Sequence, residues 1–152
     1  MSENSRFAVA VHALTLLSSE DRPLTSGYIA GSVNTNPVVI RRILSVLRSA
    51  HLVESRGGAS GGFCLAHPPA AITLRDVYRA VEGPRLFALP TPAPNPGCPV
   101  GSTIQAALTR QFDKALQAME GALGDATIED MLRQTRAWKG RESKRSRRNL
   151  QQ

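Results

Sequence analysis

Apolar residues at Phe7, Ala10, Val11, Leu14 and Leu17 recur at i, i+3, i+4 and i+7 spacing, which predicts an amphipathic helix over residues 5–18. Ser5 can cap its start, and the run Asp21, Arg22, Pro23 ends it. A short second helix follows, with Thr25 as N-cap and Tyr28, Ile29 and Val33 as its apolar positions. Gly27 and Gly31 weaken it by about 1 kcal/mol each relative to Ala, so packing must hold it. Asn34, Thr35 and Asn36 form a turn. Asn36 then caps a third helix with Pro37 at its first position, where a missing N–H is harmless. That helix puts Ile40, Ile43, Leu44 and Leu47 on one face, and Val38, Arg41, Arg42, Ser45 and Ser49 on the other.

From Leu52 the period changes to that of strands. Residues 52–56 and 63–65 read as two strands joined by a glycine-rich hairpin over 57–62. A further helix is marked by Thr73 as N-cap, Asp76 three residues on, and an Ile72–Val77 staple. It buries Leu74, Val77, Tyr78 and Val81 and stops at Gly83. Pro84, Pro90, Pro92, Pro94, Pro96 and Pro99 then exclude helix or central strand over 84–99. A long helix is predicted from near Pro99, with Val100, Ile104, Leu108, Phe112, Leu116, Met119 and Leu123 as one stripe and Gly124 as its end. Thr127 caps a final short helix containing Ile128, Met131 and Leu132. From Lys139 the chain is polar, basic and expected to be disordered.

The order helix, short helix, turn, capped helix, glycine-rich hairpin predicts a winged helix-turn-helix. The fold class is therefore mainly α with a small β-hairpin: a winged helix-turn-helix domain plus a long dimerisation helix. The expected divisions are a DNA-binding domain over 1–83 and a proline-rich loop or effector region over 84–98. A dimerisation helix with a short C-terminal helix covers 99–138, and a basic disordered tail covers 139–152.

Charge changes this picture little. The formal net charge of +7 divides as +2 over residues 1–66, zero over 67–138 and +5 over 139–152, so the basicity belongs mainly to the tail. The DNA reading must rest on the folded part. No apolar run is long enough to span a membrane, and residues 1–4 lack the features of a signal peptide. With two cysteines, Cys64 and Cys98, the expectation is a cytoplasmic protein with reduced thiols.

A helix fits the major groove if its buried side is apolar and its outer side carries donors. The candidate DNA contacts are Thr25, Asn36, Val38, Arg41, Arg42, Ser45, Arg56 and Ser60. Arg41 and Arg42 can reach guanine edges or phosphates, Ser45 can bond either, and Val38 suits a thymine methyl. Arg56 stands at the base of the wing and Ser60 within it. The hairpin is no P-loop, since it lacks the Lys-Ser/Thr ending and leads into a strand. Cys64 and His67 make half a metal site at most. No residue constellation suggests an enzyme, so neither catalytic residues nor metal ligands are expected.

On these residues the chain resembles the Rrf-type bacterial regulators, which include the iron–sulfur-cluster regulator and the nitric-oxide-sensitive repressor. The resemblance is carried by residues 7–14, Leu24-Thr25-Ser26 with Ile29-Ala30, residues 44–53, the run 61–66, residues 72–77, and Val81-Glu82-Gly83. It covers about residues 5–123. It implies a homodimer on double-stranded DNA, a palindromic operator, transcriptional repression or sometimes activation, and an effector sensed near the start of the dimer helix. Cluster-binding members carry three cysteines in the loop that here spans 84–101, whereas this chain has only Cys98, with Pro92 and Ile104 six residues to either side. One thiolate cannot hold a cluster that needs about four ligands, so no iron–sulfur cofactor is expected.

Cys98 is the sensing candidate. Placed between Gly97 and Pro99, it reads as the N-cap of the dimer helix, whose free N–H groups favour the thiolate. A small-molecule pocket around Leu86, Phe87 and Leu89, and an inert capping cysteine, remain as alternatives. So does a DNA-binding protein without a sensing role, of antitoxin or architectural type. The effector is not legible.

Overall fold

The computed structural model describes residues 3–149. In chain order the elements are α1 (Glu3–Ser18), α2 (Ser26–Val33), α3 (Pro37–Ser49), β1 (Val53–Arg56), β2 (Gly62–Leu65), a 3-10 turn (Pro69–Ala71), α4 (Leu74–Val81), α5 (Ile104–Gly124) and α6 (Ile128–Asn149).

Helices α1 to α4 surround one core. Ala10, Ala13, Leu14 and Leu17 of α1 meet Ile29 and Ala30 of α2 and Ile40, Ile43, Leu44 and Leu47 of α3. Val53, Ile72, Val77 and Val81 close it. The caps of α2, α3 and α4 are those the sequence marked. The Thr25 hydroxyl accepts from the Tyr28 N–H at 3.2 Å, and Asn36 Oδ1 accepts from the Val38 N–H at 2.8 Å. Thr73 and Asp76 form a reciprocal capping box at α4. Ser5 is not the cap of α1, because the helix already runs from Glu3. Tyr28 is not inward either: it is 47% exposed, and the Arg22 guanidinium lies 5.1 Å from its ring centre.

The wing is an antiparallel hairpin in the register Val53↔Leu65 to Arg56↔Gly62. It is pinned to the loop before α2 by a pair of backbone hydrogen bonds between Leu24 and Phe63, at 2.9 and 2.8 Å. This is why position 62 is glycine. A Cβ there would stand 2.5 Å from the Leu24 carbonyl oxygen, and its φ of 156° lies in the region that side chains avoid.

The second half departs further from expectation. Residues 99–103 form turns rather than the first turn of α5, which starts at Ile104. Val100 is therefore off the helical stripe and 66% exposed. The segment from Lys139, expected to be disordered, continues α6 as regular helix to Asn149, so the final helix spans 22 residues and is not short. Residues 150–152 of the expected tail lie outside the described residues. The start of α6 is tied to the start of α4. Ile128 N–H donates to the Ile72 carbonyl, and Leu74 N–H to the Ala126 carbonyl, both at 2.9 Å. Thr127 and Asp130 repeat the Thr73–Asp76 capping arrangement beside it. Ile128 is completely buried, so α6 is rooted in the core of the winged domain.

α5 leans on α4 and little else. Arg79 donates from Nε and Nη2 to the two oxygens of Glu120, at 2.9 and 2.6 Å. Phe87 of the proline-rich loop packs on Phe112 with ring centres 4.8 Å apart. No residue of α5 is buried. Among the described residues no helix is long and apolar enough to cross a membrane.

Candidate nucleic-acid interface

The outer face of α3 is polar and open. Val38 is 43% exposed, and Arg41, Arg42, Ser45 and Ser49 are all exposed. The helix divides the two arginines. Arg41 shares a stripe with Ser45 and Arg48, and its guanidinium donates to the Ser26 hydroxyl at 3.4 Å. Arg42 turns the other way, lining with Arg6, Val39, Ile43 and Val46 a depression of about 380 Å3.

Arg48 was not among the sequence candidates, although its i+7 spacing from Arg41 places it on the same stripe. It donates to the Ser55 hydroxyl at 3.4 Å and links α3 to β1. Ser26 also reaches this surface.

Thr25 and Asn36 both spend an oxygen on a helix cap, yet each keeps a donor: the hydroxyl proton of Thr25 and the amide NH2 of Asn36. In the wing, Arg56 pairs with Glu54 at 3.3 Å, with both side chains more than half exposed. Such a pair is worth about 0–1 kcal/mol. Ser60 is exposed in the connecting loop.

Cys98 lies apart from this surface. It is exposed and is not the N-cap of α5, a position taken by Thr103. Its thiol is nevertheless held below the usual range, because the backbone N–H groups of Gly101 and Val100 point at the sulfur. Gly101 makes this turn possible, since a Cβ there would come within 2.5 Å of the Asn95 carbonyl oxygen. Cys64 behaves oppositely. Burial pushes its thiol up, and its S–H donates to the Glu54 carboxylate at 3.4 Å. A groove of about 160 Å3 lies between the proline-rich loop and α5, with Leu86, Phe87 and Leu89 on one wall and Phe112 and Leu116 on the other.

A capped helix offering arginines and hydroxyls beside a glycine-hinged hairpin defines a winged helix-turn-helix DNA-binding protein. The chain belongs to the Rrf2 family, described as iron-dependent transcriptional regulators, whose model matches residues 3–134. It is similar to a Bacillus subtilis (strain 168) protein named as an HTH-type transcriptional regulator, YwnA, with 46% identity over 130 residues, covering 85% of this chain and 96% of that protein. A crystal structure described as a DNA-binding protein superposes with a TM-score of 0.69 at 43% identity, covering 84% of this chain and 99% of the other. The cysteine regulator CymR of B. subtilis superposes with a TM-score of 0.58 at 26% identity, covering 82% and 92%. The chain is thus a transcriptional regulator and not an enzyme.

The iron of the family description does not fit the residues present. Among the described residues, no three His, Cys, Asp or Glu side chains come together as a metal site. The loop offers Cys98 alone.

Proposed function

We propose that the chain acts as a homodimeric repressor that reads a palindromic operator and responds to thiol oxidation at Cys98. The observation that carries the dimer is α5. Ile104, Leu108, Phe112, Leu116, Met119 and Leu123 make an apolar stripe, and its own chain covers each of the six only in part. Water is a poor partner for that stripe, and a second copy of it is a good one. Two recognition helices related by a twofold axis read half-sites one or two helical turns apart.

In this reading α3 enters the major groove. Val38, Arg41 and Ser45 face the bases, and Arg42, on the adjoining side of the helix, reaches a phosphate. Thr25 and Asn36 use their remaining donors on phosphates, and Arg56 and Ser60 carry the wing to the neighbouring backbone. Repression follows from occupying a promoter. Oxidation at Cys98 would disturb the turn that leads into α5, and with it the spacing of the two α3 helices. The backbone N–H groups of Gly101 and Val100, which lower the Cys98 thiol from its ordinary value, support this role, because the thiolate is the reactive form.

Quantitative footprinting on the region upstream of the chain's own coding sequence tests the reading. Arg41→Ala should weaken binding by about 1–3 kcal/mol and relax sequence preference, and Arg56→Ala should weaken all sequences alike. Undiminished, equally selective binding by the Arg41/Arg42 double alanine variant refutes α3 as the reader. Oxidant should release wild-type protein from DNA and leave Cys98→Ser bound. Equal release of both removes the sensing role and leaves a DNA-binding protein without one.

A further inference from the structure

Past Met131 and Leu132, α6 leaves the body of the protein, and every residue from Arg133 to Ser146 is exposed. The family match ends at residue 134, so this stretch lies beyond what the family model describes. The helix, where disorder was expected, puts its cations on one face. Arg141, Lys144, Arg145 and Arg148 stand at i, i+3, i+4 and i+7 and together line one surface hollow. At about 1.5 Å per residue the stripe runs for about 10 Å. Trp138 sits one turn earlier, 63% exposed, with the Arg141 guanidinium 5.2 Å from its ring centre.

This stripe is unneutralised. Glu142 is the only acidic residue between positions 134 and 148. Among the described residues, no carboxylate lies within ion-pair distance of the four cations. Arg141 faces Arg145, and Lys144 faces Arg148, at the i, i+4 spacing where like charges repel. A polyanion laid along the stripe relieves that repulsion.

We infer that the C-terminal half of α6 is a second DNA-binding surface, gripping the phosphate backbone outside the sequence read by α3 and the wing. The inference rests on the operator-binding reading above and assigns it a separate, sequence-independent contact. Duplex DNA fits better than the other polyanions. A membrane-surface helix needs a broad apolar face, and between residues 134 and 148 the only large apolar side chain is Trp138. Single-stranded nucleic acid is held by successive stacking aromatics, and again there is one. Arginine and lysine in a row, without bases to read, suit the phosphates of a duplex.

The test uses the full chain and the variant R141Q/K144Q/R145Q/R148Q. Glutamine keeps helix propensity, and circular dichroism checks that the helix remains. Affinity is measured against salt concentration, on the upstream duplex and on a scrambled duplex of equal composition. Releasing four phosphates should lower the log–log salt slope by about 3.6 for each chain engaged. The ratio of affinities for the two duplexes should stay the same. An unchanged slope in the variant, with wild type binding normally, overturns this inference alone. Wild-type protein that binds neither duplex at low salt overturns the operator reading, and this one with it. An unchanged DNA slope together with charge-dependent binding of wild type to phosphatidylserine vesicles, or to single-stranded RNA, moves the stripe to that partner and overturns the inference as well.

Discussion

The winged domain and α5 are built from similar apolar residues and end in opposite states. In α3, four apolar side chains on one face are buried to within a few per cent. In α5, six apolar side chains on one face are only partly buried. The difference is supply. α3 has α1, α2 and α4 around it, whereas α5 has α4, one ion pair to Glu120 and the proline-rich loop. A periodic stripe thus states that a helix needs a partner, and only packing says whether its own chain provides one.

The contrast is broken most sharply by matched truncations. Leu44→Ala should lower the unfolding free energy by about 2–5 kcal/mol, because its surroundings cannot collapse into the hole. Leu116→Ala should cost the isolated chain about 1 kcal/mol, near half a leucine's transfer value, and should instead weaken self-association. Denaturant melts at several protein concentrations, with sedimentation, separate the two. Equal losses of stability, both independent of concentration, would mean that α5 is complete within one chain.

A smaller effect concerns how α6 is rooted. Thr127→Ala should cost about 1 kcal/mol as a lost helix cap, read by thermal unfolding. Its partner Asp130 adds a pH dependence. Hydrogen bonds from the Thr127 backbone and hydroxyl hold its carboxyl below the ordinary aspartate value, with Arg133 assisting. A depressed folded pKa means stability that is present above the unfolded value, about 3.9, and lost as pH falls through the folded one. The melting temperature of wild type should therefore fall more steeply below that pH than that of Asp130→Asn. Parallel curves would show that the capping box contributes nothing.

The smallest effect leaves stability untouched and compares the two cysteines. Near neutral pH, iodoacetamide should label Cys98 well before Cys64, since the first thiol is lowered and exposed and the second is raised by burial. Gly101→Ala should slow labelling at Cys98, because the added Cβ forces the turn open at the Asn95 carbonyl. Faster labelling of Cys64, followed by mass spectrometry of the peptides, would remove the reason for choosing Cys98.

The local signals of this chain were legible without coordinates because each depends on a few neighbouring residues. The caps at Thr25, Asn36 and Thr73, the buried face of α3 and the glycine-rich hairpin come from side-chain spacing and turn chemistry. Arg48 and the Asp130 cap carried the same kind of signal, in the spacing from Arg41 and in the repeat of the Thr73-x-x-Asp76 pattern. Other features had no local signature. The need for Gly62 arises from the Leu24 backbone, 38 positions away in sequence, passing where a Cβ would stand. The lowered thiol of Cys98 comes from a five-residue turn before α5 rather than from the helix end itself. The helix through the basic segment carries no apolar stripe, because a helix in solvent on every side has no face to mark. What tertiary structure decided was where Ile128 is buried, and from that anchor α6 projects its cations outward in a row.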